Sequence, residues 1–166
     1  PKTMMKRPDH THFKYWSRTQ FSALRGAVVY IEAFDSAGDV CLGTGFHVGD
    51  GVFITARHVV EERTISKIGV DDFSTKLILM EGWPNSPTSI TLHRGPLFHP
   101  DPDVDLACFV AKPFPRAYIP LGGHLDDWLG QYELVLHRTL VLGYPPIPFA
   151  DRPVLVASAG EVNALI

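Results

Sequence analysis

The sequence predicts an all-β protein, a barrel or sandwich of short strands, and three observations carry that expectation. Runs rich in β-branched and aromatic residues recur throughout: "AVVYIEAF", "VCLGTGFHV", "GVFITA", "KLILM", "SITLHRG", "LACFVA", "YELVLH", "TLVLGY" and "PVLVASA". Turn residues separate them at Asp35-Ser36-Ala37-Gly38, Gly49-Asp50-Gly51, Pro84-Asn85-Ser86-Pro87 and Pro100-Asp101-Pro102, where glycine supplies positive φ and proline a fixed one. Helical periodicity is confined to single turns, one at 58–62 and one in "HLDDWLG".

The first element is a basic arm over residues 1–21. Lys2, Lys6, Arg7, Lys14 and Arg18 outnumber the single acid Asp9, with Phe13, Tyr15 and Trp16 interleaved, a composition suited to a solvated terminal arm that docks its aromatics on the body. The rest of the chain holds ten basic and seventeen acidic groups, so the formal charge of -3 conceals an acidic body with no electrostatic reason to bind nucleic acid. No apolar run approaches the roughly 20 residues of a membrane span, so no membrane partner is expected, and the N-terminus has no signal-peptide core. With 166 residues, 45% of them apolar and 20% charged, the chain can bury one ordinary core.

Residues 22–111 have enough strands to close one small barrel. Cys41 and Cys108 each stand in an alternating apolar run and are expected as reduced, strand-borne core residues, which favours a reducing compartment and hence the cytoplasm. From Lys112 the composition changes to "KPFPRAYIPLGG", and residues 112–130 are expected as an extended connector. Residues 131–166 then offer three strands, too few to bury their own apolar faces. The expectation is an incomplete second unit whose remainder lies beyond Ile166.

Chemistry is expected where strand alternation stops. In "GTGFHVGDGVFITARHVVEE" the alternating run 52–56 leads into His58 rather than into a turn residue, a place that holds a ring rigidly and leaves one face open to a cleft. A lone histidine after a strand is ordinary structural material. A second stretch, "DPDVDLACFVA", changes that reading. It sets Asp105 at the mouth of a strand with Leu106, Cys108 and Val110 on one face and Ala107 and Phe109 on the other. A carboxylate there needs a hydrogen-bond partner, and an imidazole N–H supplies one. Such a pair fixes the tautomer that leaves the other ring nitrogen free to take a proton from a nucleophile.

Together "GTGFHVGDGVFITARHVV" and "DVDLACFV" resemble the trypsin-like serine peptidases of the chymotrypsin fold. The likeness is greatest to the bacterial branch, in which a Gly-Ser/Thr-Gly-Phe strand precedes Thr-Ala-x-His-Val. "LVLGYP" and "AGEVNAL" extend the likeness over roughly residues 22–166. The resemblance implies a chymotrypsin-like double β-barrel, the first barrel complete over 22–111 and the second only begun over 131–166, with the active site between them. It implies that His58 is the catalytic base and Asp105 its orienting acid, that the substrate is a polypeptide, and that no cofactor is needed. The nucleophile, the oxyanion-hole amides and the specificity pocket would come from the second barrel, whose remainder would be a partner of this segment.

One departure bears on activity: no Gly-x-Ser-Gly-Gly motif occurs. None of Ser17, Ser22, Ser36, Ser66, Ser74, Ser86, Ser89 and Ser158 has a glycine two residues before it. Ser36, in "FDSAGD", precedes the histidine, against the family order, and suits a hairpin turn, while Ser158, in "VASAG", suits a strand. The expectation is a serine endopeptidase whose nucleophile lies after residue 166. Two alternatives stay open: a catalytically inactive trypsin-like module used for protein binding, and a cysteine nucleophile in that later segment.

Smaller departures remain. Arg57 stands where the family has a small residue and is expected to reach solvent; Val59 stands where extracellular relatives carry a half-cystine. Asp9, His10 and His12, and His93 and His99 with Asp101 and Asp103, have the spacing of metal ligands. They fall on the arm and in a proline-flanked loop, the glycine and glutamate of a calcium loop are absent, and no metal site is expected.

Overall fold

A computed structural model describes residues 10–71, 90–114, 117–121 and 137–162, with side chains from Tyr15 onward. Strands β1 (Val28–Phe34), β2 (Val40–Gly49), β3 (Val52–Thr55), β4 (Thr64–Gly69), β5 (Thr91–Phe98) and β6 (Ala107–Lys112) form one antiparallel sheet in the order β4-β1-β2-β3-β6-β5. Ile90, just ahead of β5, bridges Ile68 of β4, donating its N–H to the Ile68 carbonyl at 3.2 Å. The two outer strands therefore meet, and the sheet curls round one core.

The residues that fill that core follow from strand parity. On β6, Ala107, Phe109 and Ala111 point inward while Cys108 and Val110 are half-buried outside, the period of two expected of a half-covered strand. The small alanines leave room for Phe53 of β3 to stack on Phe109, ring centroids 5.4 Å apart and planes 4° from parallel. Val29, Ile31, Ile68, Val70 and Ile90 complete the cluster with Val59 and Val60 of the short helix α2 (Arg57–Val60). Strand β1 breaks the alternation because it is covered on both sides. Its second face, Val28 and Tyr30, packs against Tyr144, with Leu42, Leu142 and Leu155 around them.

Tyr144 follows β7 (Arg138–Gly143), which pairs with β8 (Val156–Glu161) in a separate two-stranded sheet. Its N–H donates to Thr44 Oγ1 at 2.8 Å, its hydroxyl accepts the Asp71 N–H at 3.0 Å, and its ring meets Tyr30 edge-on at 5.5 Å. Burial holds its phenol well above the usual tyrosine range. One aromatic side chain thus anchors the second unit to the first.

The turns at 35–38, 49–51 and 100–102 fall where the sequence placed them, and the one expected at 84–87 lies outside the described residues. Asp35 Oδ1 accepts the N–H of Ala37 and of Asp39 at 2.9 Å each, and Gly38 takes φ +87°, so Ser36 lies in the β1–β2 turn. Ser158 lies on β8, and Cys41 and Cys108 are free thiols on β2 and β6, half-buried and outside the core in which they were expected. The described part of the connector is irregular and is tied to β2, Ile119 donating its N–H to the His47 carbonyl at 2.8 Å.

Three elements differ from expectation. A fifteen-residue helix, α1 (His10–Leu24), runs across the expected boundary at residue 21. Its half-buried positions Trp16, Ser17, Gln20, Phe21 and Leu24 trace one helical face, a stripe that the dense basic and aromatic residues obscure in the sequence. Strand β4 was not foreseen: a bulge opposite Glu32 and Ala33 breaks its period of two, so Ser66 and Lys67 are exposed in succession. Strand β8 begins at Val156 instead of Pro153. The expected strands "KLILM" and most of "YELVLH", and the helical turn in "HLDDWLG", lie outside the described residues. Among the described residues no helix is long and apolar enough to cross a membrane.

Candidate active site

Strand β3 ends at Thr55, Ala56 stays extended, and the chain turns into α2 at Arg57. The helix is too short to hold itself. It is held by Val59 and Val60, which enter the barrel core, and Val59 sits directly on Gly43 of β2. A methyl group on Gly43 would overlap Val59 Cγ1 and stand 2.6 Å from Cγ2. The Gly-Thr-Gly of β2 is therefore a packing device. Gly43 admits the helix, and Thr44 accepts the Thr55 hydroxyl on its carbonyl at 2.7 Å while its own hydroxyl accepts the Tyr144 N–H.

That support presents His58 to Asp105. The imidazole Nδ1 lies 2.7 Å from Asp105 Oδ2, and the His58 backbone N–H donates to Oδ1 at 2.9 Å. The carboxylate grips ring and backbone together, so the ring can neither swing nor slide without losing one of the bonds. An ionised carboxylate only accepts, so Nδ1 carries the proton and Nε2 is left as the acceptor. No described residue hydrogen-bonds Nε2. The His58 side chain is 71% exposed and that of Asp105 55%, so the pair faces open space. Hydrogen bonds from the His58 backbone and then its ring hold Asp105 below the usual carboxylate range.

The two residues that the sequence singled out do meet, but the sequence reading missed their supports. Arg57 does not reach out to solvent as expected. Its Nε donates to Glu61 Oε1 at 2.8 Å, its Nη1 points at the carbonyls of His99 and Asp101, and its guanidinium lies 5.2 Å from the centre of the Phe98 ring. Arg63 Nη1 donates to the His58 carbonyl. His47 is buried: Nδ1 donates to the Ala117 carbonyl at 2.9 Å and Nε2 accepts the Gly51 N–H at 3.1 Å, and burial pushes its pKa down. Strand parity was the available signal for His47, since it shares the inward face of β2 with Gly43 and Gly45.

The other candidates lie elsewhere. Ser66 donates to the Glu32 carbonyl at 3.0 Å, and no described serine hydrogen-bonds His58. His99 accepts the Asp101 N–H on Nδ1, and among the described residues no three His, Cys, Asp or Glu side chains gather as metal ligands.

No known protein-family model and no curated protein matches the chain. Solved structures do match its fold. The inactive form of Rv3671c from M. tuberculosis H37Rv, a serine-to-alanine mutant, aligns with a TM-score of 0.51 at 21% identity, over 92% of this chain and 59% of its own. GrC aligns with a TM-score of 0.55 at 18% identity, over 84% of this chain and 61% of its own. Both have the trypsin-like, chymotrypsin fold, and so does this chain. It spans about three fifths of the length of either neighbour.

Proposed function

We propose that the chain is the base-bearing part of a trypsin-like serine endopeptidase of the bacterial branch, acting on polypeptides in the cytoplasm. The observation that carries the reading is the two-point grip of Asp105 on His58, 2.7 Å to the ring and 2.9 Å to the backbone, with Nε2 left open. This is the arrangement a general base needs: a fixed tautomer, a fixed ring and an unoccupied acceptor.

In the reaction, Nε2 takes the proton of a serine hydroxyl as the oxygen attacks the scissile carbonyl. Asp105 stabilises the imidazolium that results, and His58 then returns the proton to the leaving amine. Water repeats the sequence on the acyl-enzyme. Backbone amides beside the serine would bind the oxyanion. Ser17, Ser22, Ser36, Ser66 and Ser158 lie on α1, in a turn, or on β4 and β8, Ser74, Ser86 and Ser89 lie outside the described residues, and none of the eight has the glycine two residues before it that the nucleophile motif requires. We therefore assign the nucleophile to sequence beyond residue 166, within the rest of a second barrel that would pack on β7 and β8. No cofactor enters the scheme.

Fluorophosphonate labelling of the natural product that contains these residues tests the reading, because only an activated serine reacts. Covalent labelling that disappears in His58→Ala supports it. A folded product that never labels and hydrolyses no peptide would overturn it, in favour of a trypsin-like module kept for protein binding.

A further inference from the structure

Asp105 is delivered by a loop that has no core residue of its own. Every position from Pro100 to Leu106 is exposed. The loop closes at its base where the His99 N–H donates to the Leu106 carbonyl at 3.0 Å. Within it, the Val104 N–H donates to the Asp101 carbonyl at 3.2 Å and the Asp103 N–H to Asp101 Oδ1 at 3.0 Å. These bonds shape the loop, but none fixes it to the helix that carries His58. Three carboxylates within five residues, Asp101, Asp103 and Asp105, also repel one another.

Beyond the bonds of Asp105 itself to His58, Arg57 supplies a second tie. Its side chain is only 16% exposed although it flanks an open site. Nη1 lies 3.4 Å from the His99 carbonyl and 3.3 Å from that of Asp101, long individually, but both directed at the same turn. Glu61, one helical turn on, holds Nε at 2.8 Å, and the guanidinium carbon lies over the Phe98 ring, 5.2 Å from its centre. A planar fork with several donors and a stacking face can make all these contacts at once, whereas an ammonium cannot. The charged and titratable groups around it are Glu61 and Arg63 following α2, His58 on α2, and His99, Asp101, Asp103 and Asp105 on the loop.

We propose that Arg57 is a positioning residue for the His58–Asp105 pair. It fastens the loop that presents the carboxylate to the helix that presents the imidazole, and so sets the reach of Asp105 to Nδ1 and to the His58 N–H. The effect on turnover rests on the peptidase reading above; the geometric effect does not.

The test compares wild type with Arg57→Ala, Arg57→Lys and Asp105→Asn. Proton NMR of the folded chain reads the His58 Nδ1–H, which a carboxylate partner shifts downfield and protects from solvent exchange. Arg57→Ala is expected to exchange that proton at least tenfold faster, Arg57→Lys to recover part of the protection, and Asp105→Asn to abolish it. In the active parent, Arg57→Ala is expected to lower kcat about tenfold to a hundredfold with KM little changed, the scale of a small misplacement near the chemistry.

A folded Arg57→Ala protein with wild-type exchange and wild-type kcat would overturn the proposal. Should Arg57→Ala not fold, Arg57→Lys decides it: wild-type protection in that variant contradicts the proposal, and faster exchange supports it. Loss of protection in Arg57→Ala, together with full turnover in Asp105→Asn, would keep the positioning role and end the peptidase reading.

Discussion

Strand β1 is buried from Val28 through Ile31, whereas β8 is exposed at every position except Gly160. Both strands are short and apolar, and the difference lies in what covers them. The first unit folds its sheet round Phe53, Phe109 and the valines of α2, and β1 gains a second cover from Leu42 and from Tyr144, Leu142 and Leu155 of the second unit. Among the described residues the β7–β8 hairpin has no such interior, and Val141 in its middle is 65% exposed. A two-stranded hairpin is marginal alone, so its place depends on Tyr144 and the small cluster around it. The contrast teaches where the chemistry is anchored. His58 and Asp105 both hang on the unit with the core, so the imidazole and the carboxylate need nothing from the hairpin to meet.

That contrast can be broken most forcefully from inside the barrel. Phe53→Ala removes the ring that stacks on Phe109 and should cost about 3–5 kcal/mol in urea unfolding, loosening α2 with it. Gly43→Ala drives a methyl group into Val59 and should cost about 1–3 kcal/mol, with faster exchange of the His58 Nδ1–H because the displaced helix carries that ring. Tyr144→Phe leaves the Asp71 N–H without its hydroxyl acceptor and should cost about 1–2 kcal/mol while leaving the His58 proton unchanged. An altered His58 signal in Tyr144→Phe would show that the two units are coupled at the site.

The smallest effect is one of pH. Burial depresses the pKa of His47, so the neutral ring stabilises the fold above its unfolded value near 6.5, and that stability is lost as pH falls from there through the lower folded value. Protonation would set a second N–H against the Gly51 N–H at Nε2, while the Nδ1–H bond to the Ala117 carbonyl persists. Stability measured from pH 7.5 to 5 should therefore fall more steeply in wild type than in His47→Phe. Parallel slopes would remove His47 from the account.

Much of this was legible because it is written in residue type and parity. The two faces of β6 could be told apart in "LACFVA", though not which of them turns inward, and the meeting of His58 with Asp105 could be read from a ring and a carboxylate placed at strand ends. Supports that use backbone acceptors leave no such mark. Arg57 bonds carbonyls more than forty residues away, and a carbonyl looks alike in every residue, so the arginine read as solvated. The bulge that hid β4 is likewise a property of its pairing with β1 and not of "TISKIG" itself. Gly43 was legible as part of a pattern, but its cause, the side chain of Val59, came only with the fold.

The most direct measurement is the turnover of Asp105→Asn in the natural product that carries these residues, alongside its stability. An amide in that position keeps the shape but donates toward a ring that must itself donate from Nδ1. The account predicts a folded protein whose kcat falls on the order of 10⁴-fold. A folded Asp105→Asn variant with wild-type kcat would contradict the assignment of His58 and Asp105 as base and orienting acid.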